Sequence, residues 1–319
     1  DSVASRGLGD VYKRQLFADR VTKMNKTSTR GLEILLALVM MARGTSFIFS
    51  KLLLETMSTF NVLAFRFGIA FLVLAALFAR RLFRASRKVW IAGFLIGFLY
   101  FLVMSLELTA LTMADTGPVA LTEHTSIVMV PLATAALARV RPNPVMLLSA
   151  FLAVTGVGML TLPGGNLSAG LLIALLGAVC YAVTIIVTDR VTHSPAEGFT
   201  VGIIQLGTLA LLAGIASLFL ESPHLPSSPA QWGMLAVLVV VCTIFGFTFQ
   251  PVAQARVSAE MTGILAALNP AVAAIIGALV LQEQFGWLGA LAVVLILIAI
   301  TLPNWLRIFS PKGGEVLPQ

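Results

Sequence analysis

The amino-acid sequence predicts an all-α membrane protein: ten transmembrane helices arranged as two inverted five-helix repeats. Three observations carry this reading. Ten apolar stretches of about twenty residues follow one another, lysine and arginine are distributed unevenly between them, and several landmarks recur at one fixed offset. Charged residues make up 11% of the 319 and apolar residues 58%, with a mean hydropathy of +0.97. A soluble domain carries about 25% charged residues. A chain this apolar has too little polar surface to dissolve.

The stretches fall at residues 32–54, 61–79, 89–110, 116–138, 144–162, 168–188, 199–220, 231–250, 258–281 and 286–306. Each suits a helix crossing ~30 Å of hydrocarbon at about 1.5 Å per residue. Residues 1–23 are set apart as a non-native leader. Residues 1–15 (DSVASRGLGDVYKRQ) resemble a translated adaptor sequence, and Met24 stands just ahead of the first stretch. The expected organisation is then a first five-helix unit over 24–165, a second, inverted unit over 166–306, and a cytoplasmic tail over 307–319.

Orientation follows from the cations, because short loops rich in them stay on the cytoplasmic side. With the N-terminus inside, the inner segments hold Lys26, Arg30, Arg80, Arg81, Arg84, Arg87, Lys88, Arg139, Arg141, Arg190, Arg256, Arg307 and Lys312, whereas the outer ones hold only Lys51. Both termini are therefore expected in the cytoplasm of a bacterial inner-membrane protein. This topology, with a part from the leader, accounts for the net charge of +7, so the bilayer is the expected partner and no nucleic acid is called for. Cys180 and Cys242 lie inside stretches, far from any metal or disulfide spacing. No Walker loop, zinc-protease helix or flavin fingerprint occurs, and neither cofactor nor metal is expected.

An internal duplication can be tested by arithmetic. An offset of 139 carries Lys51 to Arg190, Arg66 to Gln205 and Pro131 to Pro270. Five spans per unit force the second unit to enter the membrane from the opposite side, an inverted repeat common among secondary transporters. Pro118 and Pro131 in the fourth stretch and Pro270 in the ninth are expected to interrupt their helices. Carbonyls freed by such breaks must be satisfied within protein or a wet cavity, which points to a central site. Asn269 stands ready to bond one of them. The alternative is that the prolines only bend the helices for packing.

Ionisable groups inside spans are expensive and functional by default. At 1.5 Å per residue, Arg66 lies roughly 8 Å deep, Glu107 about 5 Å, and Glu123 with His124 about 10–12 Å, within reach of one outer vestibule. Arg43 sits near the centre of its span, where an unpaired arginine costs at least ~2.5 kcal/mol, so Glu123 or Glu107 is its expected counter-charge. His124 is a candidate proton relay or substrate contact, weighed against a packing histidine. On the inner side Gln205, Gln250, Gln254, Arg256 and Glu260 form a polar cluster by depth, read as a gate or as a solvated helix end. Gly93 and Gly97 are expected to form a packing seam.

Residues 41–67 (MARGTSFIFSKLLLETMSTFNVLAFRF), 116–132 (TGPVALTEHTSIVMVPL) and 263–283 (GILAALNPAVAAIIGALVLQE) resemble the drug/metabolite transporter superfamily, specifically its EamA-type ten-helix transporters. The likeness spans about residues 32–306. It implies a central cavity lined by helices one, three and four with six, eight and nine, and alternating-access transport of small metabolites. Two departures stand out: Arg43 replaces an aromatic before Gly44, and Pro144 stands near where the second unit has Glu283. The resulting expectation is a secondary transporter, an exporter of small metabolites such as amino acids, with proton coupling as a candidate. Arg43, Glu107, Glu123, His124 and Asn269 would line the cavity; Arg66, Gln205, Gln250, Pro131 and Pro270 would gate or couple it. The alternative is a facilitative uniporter or importer. A channel would need a continuous polar stripe, and a membrane enzyme a nucleophile with base and orienter.

Overall fold

The structure, a computed structural model, describes residues 30–161, 168–191, 195–246, 249–250, 253, 257, 259–283 and 286–309. Among these no residue is in a strand. The helices are α1 (Arg30–Leu54), α2 (Thr59–Leu77), α3 (Ala79–Phe83), α4 (Arg87–Met113), α5 (Thr116–His124), α6 (Ser126–Leu137), α7 (Pro144–Thr161), α8 (Ala169–Val191), α9 (Pro195–Leu220), α10 (Pro229–Val237), α11 (Ala259–Ala266), α12 (Leu268–Val280) and α13 (Trp287–Phe309). α10 runs directly into a π-helical segment, Leu238–Phe245. Seven spans among the described residues are long and apolar enough to cross a membrane, with α5 and α6 together forming one of them; three further apolar helices are shorter. The leader, Lys26, Gln254, Arg256 and the tail beyond residue 309 lie outside the described residues, as does the side chain of Glu260.

The proline expectation needs correction in the fourth stretch. The span over Thr116–Leu137 breaks at Thr125, between α5 and α6, whereas Pro131 lies well inside α6. Pro118 is the third residue of α5 and Pro270 the third of α12. At Pro118 the missing N–H falls in a first turn, where it would have had no intrahelical acceptor; in the ninth stretch, as expected, the helix is interrupted at Ala267, beside the Ala266 carbonyl that Pro270 has no N–H to bond. The break at Thr125 is held by short-range bonds: its N–H and its hydroxyl both reach the Thr122 carbonyl, at 3.2 and 2.6 Å. In the other half α11 and α12 meet at Ala267, whose N–H donates to Ile264 O at 3.2 Å.

Helices of the two halves interleave. α2 packs on α9 and the π segment, α4 on α8 and α9, α5 on α12, and α7 on α13. Two apolar cores result. One joins Phe47, Val119, Leu121, Ala273 and Ile296; the other joins Leu63, Phe67, Leu108, Ile204 and Leu238.

The α4–α9 contact is the glycine seam expected from sequence. A Cβ on Gly93 would stand 2.6 Å from Ile204 Cβ, and one on Gly97 2.6 Å from Thr208 Cβ and 2.8 Å from Gln205 O. Gly97→Ala is expected to cost about 1–3 kcal/mol by overpacking and to lower the melting temperature in detergent. Gly158→Ala is the control, because its Cβ meets nothing within 4 Å. Equal melting temperatures for the two variants would show that the seam can spread.

Candidate functional site

Between the cores lies a group of charges. Arg66 on α2 is 5% exposed, Glu107 on α4 5% and Glu123 on α5 4%; side chains of this kind are almost never so buried unless paired. Leu63 and Phe67 carry Arg66 on the second core, Leu108 holds Glu107 there, and Val119 and Leu121 hold Glu123 against the first. The charges meet where the cores meet.

Glu107 and Glu123 place their carboxyl groups within hydrogen-bonding reach of each other. Such a bond needs a proton on one of the two, because a carboxylate has no donor. Glu107 feels both Arg66 and Arg43 electrostatically. Arg66 donates from Nε to Thr243 Oγ1 at 3.0 Å, and that hydroxyl donates onward to Leu238 O at 2.8 Å. The guanidinium also lies 4.9 Å over the Phe67 ring. Two polar atoms of the cluster are buried without a partner, Arg66 Nη1 and Glu123 Oε2, and so is Asn269 Oδ1 nearby on α12. A charged donor and a carboxyl oxygen left unmet in one buried cluster each carry a desolvation cost that a bonding partner would relieve.

Arg43, on α1, has neutral hydrogen-bond partners in addition to the expected carboxyl groups. Nη1 donates to Gln250 Oε1, and the guanidinium is hydrogen-bonded to Tyr181, with Tyr100 beside it. Glu107 and Glu123 act on it as electrostatic partners. Gln250 is thus tied to Arg43 across the halves. Gln205 is buried on α9 at the glycine seam, apart from that pair.

His124 is held by its own helix and by an aromatic neighbour. Nδ1 bonds the Ala120 carbonyl one turn back at 2.8 Å, and since a carbonyl oxygen only accepts, Nδ1 carries the proton. The ring packs 6.2 Å from Phe47. Asn269 leaves its Oδ1 unpartnered, while its backbone oxygen crowds Gly44, where a Cβ would come within 2.5 Å. Glycine at 44 lets α1 and α12 touch.

Sequence reasoning missed Tyr100, Tyr181, Cys242 and Thr243. The tyrosines had left a signal, since both fall mid-span while membrane tyrosines collect at the interfaces. They stack edge to face, 5.9 Å apart. Cys242 and Thr243 reach the site through the π segment, whose extra residue per turn rotates them inward. The Cys242 thiol donates to Ala42 O at 3.2 Å. Periodicity cannot announce a π turn. Among the described residues no group of three His, Cys, Asp or Glu side chains is placed to hold a metal.

At one end of the helices a second set of polar contacts ties the halves together. Glu283 accepts from the N–H groups of Thr116 and Gly117 at 2.6 and 3.1 Å. Glu221 accepts from those of Phe60 and Asn61, both at 3.0 Å. Lys51 donates to Ala114 O at 2.6 Å and lies 3.9 Å from Asp115. Burial and the neighbouring Glu283 carboxylate raise the Asp115 carboxyl above its usual range, against the pull of Lys51. His224 directs its two ring nitrogens at the carbonyls of Ser222 and Thr56, which raises its affinity for a proton. The His224 contribution is thus present at pH below the ordinary imidazole range and fades as pH rises through the raised value.

Comparison with known proteins agrees in kind. The model of the EamA-like transporter family matches residues 31–162 and again 168–305. A crystal structure of a protein 18% identical in sequence superposes with a TM-score of 0.61, covering 90% of this chain and 99% of the other, which shows a shared fold. No curated protein matches the chain by sequence.

Proposed function

Since the chain belongs to the EamA-like transporter family, we propose that it is a secondary active exporter of small metabolites, amino acids foremost, across a bacterial inner membrane. Ten spans in two inverted halves would expose the site alternately to the two sides, with no enzymatic step. The observation that carries the substrate class is the unpartnered pair, Arg66 Nη1 and Glu123 Oε2, buried in one cluster. A carboxylate satisfies the first and an ammonium the second, so a small zwitterion suits both. Tyr100 and Tyr181 add an aromatic wall beside Arg43.

The test is a thermal-shift series on purified protein with free amino acids, their decarboxylated amines and their deaminated acids. A ligand at 100 times its dissociation constant stabilises the folded state by about 2.7 kcal/mol. The zwitterions are expected to raise the melting temperature more than either half-molecule. Equal shifts from the amines alone would assign the site to organic cations, and no shift from any would remove the amino-acid reading.

Topology is tested separately. In intact spheroplasts, a cysteine replacing Ser227 in a Cys180→Ala, Cys242→Ala background is expected to react with an impermeant thiol reagent, and one replacing Ser86 is not. The reverse pattern would overturn the cytoplasmic placement of the termini.

A further inference from the structure

Two of the helices that begin on the face carrying residues 56–61, 114–117, 221–231 and 283 are capped in an unusual way. Ser58 stands at the N-cap of α2 and Asp115 at that of α5, both residue types that normally accept from the first-turn N–H groups. Neither makes a cap bond here. The place is taken in each case by a glutamate from the other half: Glu221 on Phe60 and Asn61, Glu283 on Thr116 and Gly117. Each carboxylate thereby sits on the positive end of a helix dipole, with two charge-assisted bonds.

The surroundings are shaped for this grip. Gln282 adopts a left-handed φ of 56°, turning the chain after α12 so that Glu283 N–H returns to Gly277 O at 3.2 Å. A Cβ on Gly277 would stand 2.5 Å from Glu283 Oε2, so glycine there leaves the carboxylate its room. Beside Glu221, Asn61 Nδ2 donates to His224 O at 2.8 Å and Gln231 Nε2 to Thr56 Oγ1 at 2.9 Å. The four bonds to the glutamates and these last two all cross from one half to the other.

We infer that Glu221 and Glu283 are paired latches that hold this face of the protein closed, and that both must leave their helix ends for the site to open there. The inference rests on the alternating-access reading above. A helix whose own N-cap residue is idle can lose a borrowed carboxylate and still be recapped, by Ser58 or by Asp115, so each half keeps its structure when the halves part. Release is thus an exchange of caps rather than an unravelling of helices.

Cys242 supplies a native reporter, since it lies in the site and the residue is 1% exposed. In a Cys180→Ala background, the rate of Cys242 modification by an impermeant, negatively charged thiosulfonate would be read from each face in right-side-out and inverted vesicles. Glu221→Ala and Glu283→Ala are each expected to accelerate modification from the latch face by about tenfold, a shift within what one lost charge-assisted bond supplies, and to slow it from the other. Glu283→Gln, which keeps one acceptor oxygen, should fall between parent and Glu283→Ala. Unchanged rates would overturn the inference. So would faster labelling from both faces, the signature of local unfolding. Labelling that responds in a protein that moves no solute would keep the latches and discard the transport reading; transport with unresponsive labelling would do the reverse.

Discussion

Arg66→Ala is expected to abolish transport in reconstituted vesicles while the protein still reaches the membrane and elutes as a single species. Arg66 is the one charge of the cluster with a buried donor left over, Nη1, after Nε is committed to Thr243. Truncating one member of a buried, hydrogen-bonded charge pair costs about 2–5 kcal/mol, which is upwards of about thirtyfold in affinity. Thr243→Val should give a smaller loss of the same kind: it removes the oxygen that orients Nε but leaves the charge. Arg43→Ala is also expected to stop transport, by a different route. It frees Gln250 and Tyr181 and loosens the wall of the site rather than deleting the anion contact, so its effect should be partly rescued by lysine. Lysine at 66 should not rescue, because an ammonium cannot hold Thr243 and a carboxylate in the planar fork that a guanidinium provides. Full transport by Arg66→Ala would remove it from the substrate path.

The second large effect concerns energy coupling. Glu107 and Glu123 lie within hydrogen-bonding reach of each other, and a solute ammonium arriving at Glu123 Oε2 would compete with any proton held between them. Glu107→Gln with Glu123→Gln is therefore expected to leave solute exchange at equal concentrations measurable but to eliminate any uphill movement driven by a pH gradient. Each replacement keeps size and hydrogen bonding and cannot take up charge. His124→Gln is the contrast: with its ring bonded to Ala120 O, it should leave the gradient response in place. Transport still driven by a pH gradient in the double glutamine variant would place coupling elsewhere or make the protein a uniporter.

Much of the architecture was legible because burial in lipid writes a long, unambiguous signal. The helix over Arg30–Leu54 and the one over Trp287–Phe309 each lie within about three residues of the apolar stretches that foretold them. The breaks were less legible. Proline marked the break at Ala267, three residues before Pro270, but not the one at Thr125, where a hydroxyl contact replaces the regular ladder and Pro131 lies within the following helix. Within the site, Arg66, Glu107 and Glu123 stood out because each is costly in a span. Their pairing did not, because it depends on how α2, α4 and α5 of the first half pack against one another. Arg43 was read as seeking a carboxylate, but its hydrogen bonds go to Gln250 and Tyr181, neutral groups that a charge-based search passes over. Glu221 and Glu283 were invisible as latches for a related reason: a carboxylate at a span end looks like an ordinary solvated residue until its acceptor bonds are known.

The interleaving of the halves also bears on how the chain is made. α2, α4, α5 and α7 find their main neighbours in α9, α8, α12 and α13, none of which exists when the first half leaves the ribosome. At about 5–20 residues per second, the early helices wait on the order of ten seconds in the bilayer with Arg66, Glu107 and Glu123 exposed to lipid or to the insertion machinery. The nascent protein thus has a vulnerable interval in its biogenesis, set by sequence distance rather than by stability. A quality-control protease that recognises unpacked intramembrane helices would act on this chain during that interval and lose its substrate as the helices of the second half insert.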